Sequence, residues 1–306
     1  MDLVVVGSVA YDSVETKWGK RDNALGGAAT FFSVAASHFT RPGLVGVVGD
    51  DFRQEDVALM ERCGVDLAGL ERTAGRTFRW GGVYHDDMNG RDTIFTELNV
   101  FEAFEPKLPS AYQNAQFLFL GNIHPSLQSA VLEQVENPRF VGLDTMNLWI
   151  DISRNELVNV LERVDALFVN DEEARQLTGK YNLRDAAAAI REMGPSIAVI
   201  KRGEYGAIVF SEDDIFIMPA FLLERVVDPT GAGDTFAGGF MGHLAKTQDL
   251  TPSNLRRAAV VGSVMASFCV EGFSLDTLEG VSMDDVTRRY REFIELTSFE
   301  GLGLGE

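Results

Sequence analysis

The chain has 306 residues and a formal net charge of -19 at pH 7. Phosphate backbones and anionic bilayers attract clustered Lys and Arg, so this balance argues against nucleic acid or a membrane as a partner. Hydrophobic residues make up 45% of the chain, enough for residues 1–306 to form one domain with a large core. No apolar run approaches the roughly 20 residues of a membrane span. Cys63 and Cys269 lie far apart without metal-like spacing, which fits a cytoplasmic protein.

The first part of the chain alternates strand and helix patterns. The predicted elements are a strand at 3–6, a helix at 28–39 opened by Gly26-Gly27, a strand at 44–48 and a helix at 52–63 ended by Gly64. This order favours a mostly parallel central sheet with helices on both faces, a three-layer α/β fold.

A different pattern occupies residues 73–100. Two runs, 77–84 and 93–98, are rich in β-branched and aromatic residues, and the Asp, Asn and Gly between them are typical of a turn. They predict a β-hairpin inserted between the α/β units. The stretch 13–23 has no helical period and predicts a second strand pair beside it. Together, 13–23 and 73–100 predict a small β-sheet that acts as a lid over the strand ends.

The alternation then resumes. Strands are predicted at 117–120, 140–143, 166–169, 197–200 and 207–210, helices at 126–134, 172–177, 185–193, 255–268 and 283–296, and a frayed tail at 301–306. Open α/β sheets bind ligands outside the carboxyl ends of their strands. The site is therefore expected in the loops that follow the strands, namely 7–12, 121–122, 144–147, 170–173, 201–206 and 228–234.

The last of these loops carries the strongest chemical pattern. An apolar run at 221–227 predicts a strand that ends before Asp228-Pro229, because a residue before proline avoids helical geometry. Gly231-Ala232-Gly233 follows, and Asp234 opens a helix predicted at 236–245. A glycine turn at a helix N-terminus is an anion site. A carboxylate beside an anion site is the minimum equipment for moving a phosphoryl group, although the loop is neither a Walker P-loop nor a G-x-G-x-x-G fingerprint.

The string Asp228-Pro-Thr-Gly-Ala-Gly-Asp-Thr-Phe236 resembles the C-terminal signature of the ribokinase/PfkB family of carbohydrate and nucleoside kinases. Gly26-Gly27 is similar to the family's N-terminal glycine pair, Asn170-Asp-Glu-Glu173 to its Asn-x-x-Glu element, and the inserted hairpin to its lid. The resemblance implies a ribokinase-like fold. It also implies an ATP-dependent kinase that transfers the γ-phosphoryl group to a hydroxyl of a sugar, a cyclitol or a nucleoside.

The resemblance assigns roles to individual residues. It makes Asp234 the catalytic base and gives the anion-hole amides to Gly231, Ala232 and Gly233. The acceptor hydroxyls would be held by Asp12, Gly26 and Gly27. Phosphoryl transfer passes through a loose transition state, so positioning and charge neutralisation dominate its catalysis.

The same resemblance assigns the groups that ATP brings with it. Asn170 and Glu173 would organise Mg²⁺ and the phosphates through water. Backbone carbonyls near Asp228, Thr230 and the loop 270–273 would hold a monovalent cation such as K⁺. Adenine would lie against 259–268 and that loop.

Further site residues follow from the strand-end loops. Lys201 and Gly203 lie where the nucleotide phosphates are expected, and Asn122 is expected on the acceptor side. Asp144 and Asn147 are near-site residues without a defined role.

Phe31 departs from the pattern of kinases that phosphorylate ribose, which carry an asparagine at this position. A phenylalanine would leave a sugar hydroxyl unpaired, at about 1–3 kcal/mol. Phe31 could instead stack on a nucleoside base or on the apolar face of a ring. The lid aromatics Phe78, Trp80 and Tyr84 could close over it, or these rings could only attach the lid to the body.

Structural interpretations compete with several of these roles. Asp234 could be a helix N-cap, Asp12 a turn residue, and Asn170 a cap before an acidic first turn. Lys201 and Arg202 could be a solvated basic pair.

The function also has alternatives. A non-catalytic ligand-binding protein on the same scaffold is one. A dinucleotide oxidoreductase is disfavoured because no fingerprint follows Val6. A homodimer formed through the lid is plausible for a small sheet of this kind.

Overall fold

The structure is a computed structural model that describes residues 1–212 and 214–299, so the tail at 301–306 lies outside the described residues. The strands are β1 (Leu3–Val6), β2 (Ala10–Thr16), β3 (Gly19–Gly26), β4 (Pro42–Val48), β5 (Asp66–Arg72), β6 (Phe78–Tyr84), β7 (Arg91–Glu97), β8 (Phe117–Leu120), β9 (Phe140–Asp144), β10 (Ala166–Asn170), β11 (Ile197–Lys201), β12 (Ala207–Phe210) and β13 (Ile215–Met218). The helices are α1 (Ala28–Ala36), α2 (Gln54–Arg62), α3 (Pro125–Leu132), α4 (Asn147–Ile152), α5 (Arg154–Leu161), α6 (Asp171–Thr178), α7 (Leu183–Glu192), α8 (Ala232–Thr247), α9 (Pro252–Cys269) and α10 (Met283–Thr297).

The large sheet has nine strands in the order β13-β12-β11-β10-β9-β8-β1-β4-β5. Seven neighbouring strands of this sheet, β11, β10, β9, β8, β1, β4 and β5, are parallel to one another. β12 and β13 are added antiparallel at the edge beside β11. Strands such as β1 and β8 are apolar and buried at every position, which is typical of a parallel sheet covered on both faces. One face packs against α1, α8 and α9, and the other against α5, α6 and α7. The expected three-layer α/β fold is confirmed.

A separate sheet of four strands has the order β3-β2-β6-β7. We call it the small sheet. Both predicted strand pairs are present, since β2 pairs with β3 and β6 pairs with β7, each antiparallel. The two hairpins join through parallel pairing of β2 with β6. The first hairpin is longer than predicted: β2 begins at Ala10 and β3 ends at Gly26, directly before α1.

The strand predicted at 221–227 is wrong. The chain there is irregular and crosses the surface, with Leu222, Glu224 and Arg225 exposed. Its observed backbone bond runs from the Val227 N–H to the Val270 carbonyl in the loop after α9. The edge of the large sheet beside β12 is taken by β13, so this apolar run packs beneath the small sheet instead. The edge strands β5 and β13 and the helices α4 and α5 were not predicted.

Helix α8 lies unusually close to α1. A Cβ on Gly238 would collide with the carbonyl oxygen of Phe32, and one on Gly242 would lie 3.0 Å from the Cα of Ala36. Bare backbone at these positions lets the two helices pack face to face. The contact fixes where the first turn of α8 stands relative to the strand ends.

No helix within 1–212 and 214–299 has the length and apolar character needed to cross a bilayer.

Gly238→Ala is expected to lower the free energy of unfolding by about 2–3 kcal/mol, because the added methyl meets backbone rather than a side chain that can move away. Urea unfolding followed by circular dichroism measures the change. Gly280→Ala is the matched control, since nothing lies within 4 Å of a Cβ there. Equal unfolding midpoints for the two variants would contradict the close packing of α1 and α8.

Candidate active site

The strand-end loops meet at one edge of the large sheet, as expected. β9, β10 and β11 are neighbouring parallel strands, and Asn170 pairs with Lys201 in register. Gln128 ties two of the loops together, donating from Nε2 to the carbonyls of Gly121 at 2.9 Å and Asp144 at 3.0 Å. Polar side chains from four elements therefore converge beside the start of α8.

Lys201 and Asp144 form an ion pair at the centre of this edge. Lys201 Nζ lies 3.2 Å from Asp144 Oδ2, and their side chains are 18% and 8% exposed. A Cβ on Gly233 would lie 2.9 Å from Lys201 Nζ, so the ammonium sits directly over the first turn of α8. Burial would lower the pKa of Lys201, but Asp144 and the neighbouring carboxylates outweigh it and raise the pKa. Lys201 is therefore a charged part of the site and not a solvated surface lysine.

The first turn of α8 has the geometry of an anion site. Gly231 is the N-cap in the left-handed region (φ 76°), and no side chain caps the helix. The Ala232 N–H donates to the Pro229 carbonyl at 3.2 Å. The N–H groups of Gly233 and Asp234 belong to the first turn, where helix donors lack intrahelical acceptors. The interpretation of Asp234 as an N-cap is excluded, because Gly231 holds that position.

The Asp234 carboxylate projects from this turn into the cluster of charges. Burial and the nearby charge of Asp144 raise its pKa, Lys201 and Arg91 lower it, and the net pKa is about 7. A carboxylate that exchanges its proton near neutral pH suits a general base.

Asp12 lies in β2, a strand of the small sheet, and is 8% exposed. Its carboxylate occupies the space above Gly26, where any Cβ would overlap it. Burial raises the pKa of Asp12 to about 7, and the hydrogen bond from the Gly27 N–H partly offsets this rise. Gly27 is the N-cap of α1 with φ 93°, a conformation that favours glycine. Asp12 is thus a strand residue with a poised carboxylate, and the interpretation as a turn residue is wrong.

A small pocket lies beside Asp12 under the small sheet. Its lining residues are Asp12, Val14, Arg21, Ala24, Leu25, Phe31, Asp228, Thr230 and Ser274. Phe31 is 2% exposed, and its ring fills the space where a Cβ of Gly231 would stand. Phe31 therefore both lines the pocket and supports the N-cap of α8.

Asn122 is turned towards a different partner. Its Oδ1 accepts a hydrogen bond from Trp149 Nε1 at 2.9 Å, and it does not line the pocket. Asn147 is exposed, and its Oδ1 accepts from the Leu148 N–H at 3.0 Å. Both side chains hold the start of α4 in place.

Asn170 and Glu173 form a capping box at the start of α6. Asn170 Oδ1 accepts from the Glu173 N–H at 2.7 Å, and Glu173 Oε2 accepts from the Asn170 N–H at 2.8 Å. Asn170 is therefore a helix cap before an acidic first turn, as the structural interpretation of this motif predicted. The box engages Oε2 of Glu173 and leaves Oε1 without an assigned bond. Burial and the charge of Asp144 raise the pKa of Glu173 to about 7, while Lys201 opposes the shift.

Asp228 and Thr230 shape the loop before α8. Asp228 is 2% exposed, and its Oδ1 accepts from the Thr230 N–H at 2.8 Å. Burial raises the pKa of Asp228, while its hydrogen bonds lower it. The Thr230 carbonyl faces the buried Cys269 thiol, with Sγ 3.5 Å away.

The small sheet rests on the strand-end loops at two places. Thr230 Oγ1 donates to the Tyr84 hydroxyl at 3.3 Å, and Asn89 Nδ2 donates to Glu204 Oε1 at 3.4 Å. Phe78 stacks on Phe101, 5.2 Å between centroids, and attaches the small sheet to the body. Of the three aromatics expected over the pocket, Tyr84 is the one in contact with the loop before α8.

The residues suit a triphosphate with Mg²⁺. Among the described residues no group of three His, Cys, Asp or Glu side chains is arranged to hold a metal by itself. Mg²⁺ needs no such cage, because it keeps several waters and binds through one or two carboxylates and the substrate phosphates. Glu173 offers a carboxylate, and Lys201 with the first turn of α8 offers donors for phosphate oxygens.

Asp234→Asn is expected to change stability in a pH-dependent way. An acid whose pKa is raised in the folded state binds its proton more tightly there, so its ionisation weakens the fold as pH rises from about 4 to about 7. The variant should therefore gain about 1–3 kcal/mol over the parent at pH 8, and this gain should shrink towards pH 4. Urea unfolding at several pH values measures it.

Asp284→Asn is the matched control, because Asp284 lies exposed on α10. It removes a carboxylate outside the site, so its stability at each pH gives the baseline for Asp234→Asn. A pH-independent effect of Asp234→Asn would contradict the raised pKa.

Comparisons with known proteins agree with this geometry. The family described as pfkB family carbohydrate kinase matches residues 2–277. The chain is 31% identical over 257 residues to a cytidine kinase of Thermococcus kodakarensis, covering 82% of this chain and 91% of that protein. The fold is similar to a nucleoside kinase of Methanocaldococcus jannaschii (TM-score 0.77, 20% identity, 95% and 99% of the two chains). It is also similar to an E. coli protein provisionally named ribokinase II, in complex with ATP and Mg²⁺ (TM-score 0.78, 19% identity, 95% and 99%). The chain belongs to the pfkB family of carbohydrate kinases and is an ATP-dependent phosphotransferase whose acceptor is an alcohol group.

Proposed function

We propose that the protein transfers the γ-phosphoryl group of ATP to a hydroxyl of a nucleoside, with a free sugar or cyclitol as the second candidate. One observation carries the phosphoryl-transfer assignment. The Asp234 carboxylate, with its raised pKa, stands in the first turn of α8 beside the Lys201 ammonium. A base and an anion site are thereby within one turn of each other, an arrangement that a purely ligand-binding protein would not require.

In the proposed step the acceptor hydroxyl lies between Asp12 and Asp234. Asp12 orients the acceptor by accepting from its hydroxyls, and Asp234 takes the proton of the hydroxyl that reacts. The acceptor oxygen forms a bond to the γ-phosphorus while the bond from that phosphorus to the bridging oxygen breaks. ADP leaves with the electron pair of the broken bond. Lys201 and the first-turn amides of α8 stabilise the charge on the transferred oxygens.

The cation sites are part of the proposal. Glu173 would bind Mg²⁺ through water, with Asn170 orienting Glu173 through the capping box. Mg²⁺ neutralises phosphate charge when bound. A monovalent cation would be held by the backbone carbonyls of Asp228 and Thr230, and the Thr230 carbonyl faces the Cys269 thiol at 3.5 Å.

The small sheet is proposed to act as a lid, and residues 1–306 as one catalytic unit. The pocket beside Asp12 lies beneath this sheet, so an acceptor enters when the sheet moves away. Polar contacts such as Tyr84 with Thr230 and Thr16 with Val227 hold it down, and each contributes only about 1 kcal/mol. Closure would exclude water that otherwise hydrolyses ATP.

The pocket lining supports a nucleoside acceptor. The lining combines polar groups, namely Asp12, Arg21, Asp228, Thr230 and Ser274, with an apolar wall of Val14, Leu25 and Phe31. A nucleoside has the same division, since its ribose carries hydroxyls and its base is a flat ring. The similarity to a cytidine kinase points in the same direction. A free sugar would leave the apolar wall facing hydroxyl groups.

Two further properties are proposed for the whole protein. A homodimer through the small sheet is supported by β7, an edge strand exposed at every position that carries Ile94 and Phe95. Unprotected edges of this kind pair with other strands. A cytoplasmic location is supported by Cys63 and Cys269, which are free thiols.

The acceptor is identified by a panel of nucleosides, free sugars and cyclitols in an assay that couples ADP release to NADH oxidation. A pyrimidine nucleoside is expected to give the highest kcat/KM. In the same panel Asp234→Asn should lower kcat by about 10²–10⁴-fold, because the general base is lost. Asp284→Asn should match the parent.

Each alternative has its own outcome in this panel. A free sugar or cyclitol that outperforms every nucleoside would replace the nucleoside assignment. Near-parental turnover by Asp234→Asn would remove the base assignment. Ligand-induced thermal stabilisation without ADP release would revive the non-catalytic binding protein.

Ile94→Glu is expected to abolish the dimer, because it places a charge on the exposed β7 edge. Analytical ultracentrifugation at micromolar protein measures the mass. Ile217→Glu, at an equally exposed isoleucine on the other sheet's edge strand β13, should leave the dimer intact. A monomeric parent protein, or a dimer that survives Ile94→Glu, would overturn the proposed interface.

A further inference from the structure

Arg91, at the start of β7, is tied to the first turn of α8 through one neighbouring residue. It pairs with Tyr84 across the small sheet. Tyr84 is 6% exposed, and its hydroxyl accepts from Thr230 Oγ1 at 3.3 Å. Thr230 directly precedes Gly231, the N-cap of α8. Arg91 is therefore connected to the proposed anion site through Tyr84 and Thr230.

The turn between β6 and β7, which precedes Arg91, contacts the loop after β11. Asn89 Nδ2 donates to Glu204 Oε1 at 3.4 Å, and a Cβ on Gly203 would lie 2.9 Å from Asn89 Oδ1. Gly203 follows Lys201 by two residues. The hairpin thus bridges the loop after β11 and the loop before α8, with Arg91 between its two contacts.

The Arg91 guanidinium has no carboxylate partner. It is exposed and lies 5.4 Å from the centre of the Trp80 ring. Within the described residues no carboxylate oxygen lies within the 4.0 Å of an ion pair with it. Its charge still offsets part of the rise that burial causes in the pKa of Asp12, Glu173 and Asp234. Arg91 is therefore within electrostatic reach of three site carboxylates and bound to none.

Three other cations near the site are already paired with carboxylates, while the Arg202 guanidinium lies 5.8 Å from the centre of the Tyr205 ring. Lys201 is paired with Asp144 at 3.2 Å, Arg21 with Asp276 at 2.5 Å and Arg79 with Asp51 at 2.8 Å. A triphosphate brings several negative charges to an edge that is already rich in carboxylates, so it needs a further cation. An arginine presents a planar fork of donors that matches phosphate oxygens two at a time.

We propose that Arg91 binds the phosphoryl group in transfer, contacting the terminal phosphate of ATP when the small sheet is closed. Arg91 would then be a catalytic residue supplied by the small sheet, and closure would complete the site as well as exclude water. The proposal rests on the proposed function, since it requires that ATP phosphates lie beside Lys201 and α8. It assigns Arg91 to the phosphate and not to the acceptor.

The test compares two Mg²⁺ nucleotides, AMP-PNP and ADP, by calorimetry with and without the acceptor found in the panel. In Arg91→Ala the affinity for AMP-PNP should fall about 10-fold or more, while that for ADP stays within about 2-fold, because only AMP-PNP carries the third phosphate. The kcat should fall about 10²–10³-fold with the acceptor KM unchanged within about 3-fold. Arg91→Lys should recover part of both losses, since it keeps the charge and loses the fork.

Lys20→Ala is the matched control, because it removes an exposed cation of β3 that is paired with Asp22 and does not line the pocket. It should leave both affinities and kcat unchanged. Equal effects of Arg91→Ala on AMP-PNP and ADP together with parental kcat would overturn the proposal. A raised acceptor KM at parental kcat would also overturn it, by placing Arg91 on the acceptor. A parent protein that binds neither nucleotide would overturn the proposed function and this inference together.

Discussion

The ion pair between Lys201 and Asp144 is the interaction on which the site depends. It joins the ends of β11 and β9 and places an ammonium 2.9 Å from where a Cβ of Gly233 would be, over the first turn of α8. Glu173 and Asp234 stand close enough to raise the pKa of Lys201 against the effect of burial. Lys201 opposes the rise in the pKa of Glu173 and of Asp234, and without its positive charge both would ionise at a still higher pH. Lys201 thus allows Glu173 and Asp234 to ionise near neutral pH.

Most of the fold could be predicted from the sequence, because its buried strands are apolar at every position and are often followed by glycine. β1 and β8 illustrate this pattern. The strand predicted at 221–227 shows its limit. That run has the composition of a strand, but a strand also needs a free neighbouring edge, and β13 takes the edge beside β12. β5 was missed for the opposite reason, since its sequence carries charged residues that weaken the pattern. β13 is the short apolar run Ile215–Met218, so its composition does not account for its having been missed.

The site was legible where the loop chemistry is local. The glycines and Asp234 at the start of α8 are neighbours in the sequence and by themselves predicted an anion site beside a carboxylate. The role of Asp12 beside Gly26 came only from the resemblance to the family. Long-range contacts were not visible. Asn122 accepts from Trp149, a residue 27 positions away in a helix that was not predicted. Arg91 carries no mark in the sequence either, because its place depends on how the tip of one hairpin docks on two distant loops.

Phe31 has a consequence for how acceptor choice can change. Its ring lines the pocket beside Asp12, which is proposed to hold the acceptor, and also fills the space against Gly231, the N-cap of α8. Where a residue that selects the substrate has no contact with the catalytic loop, selectivity can change while the rate is preserved. In this chain a smaller side chain at position 31 would widen the pocket and loosen the glycine at once. A substitution that admits a new acceptor would then require a compensating substitution near Gly231 to restore the rate. Acceptor selectivity and catalytic rate would therefore have to evolve together.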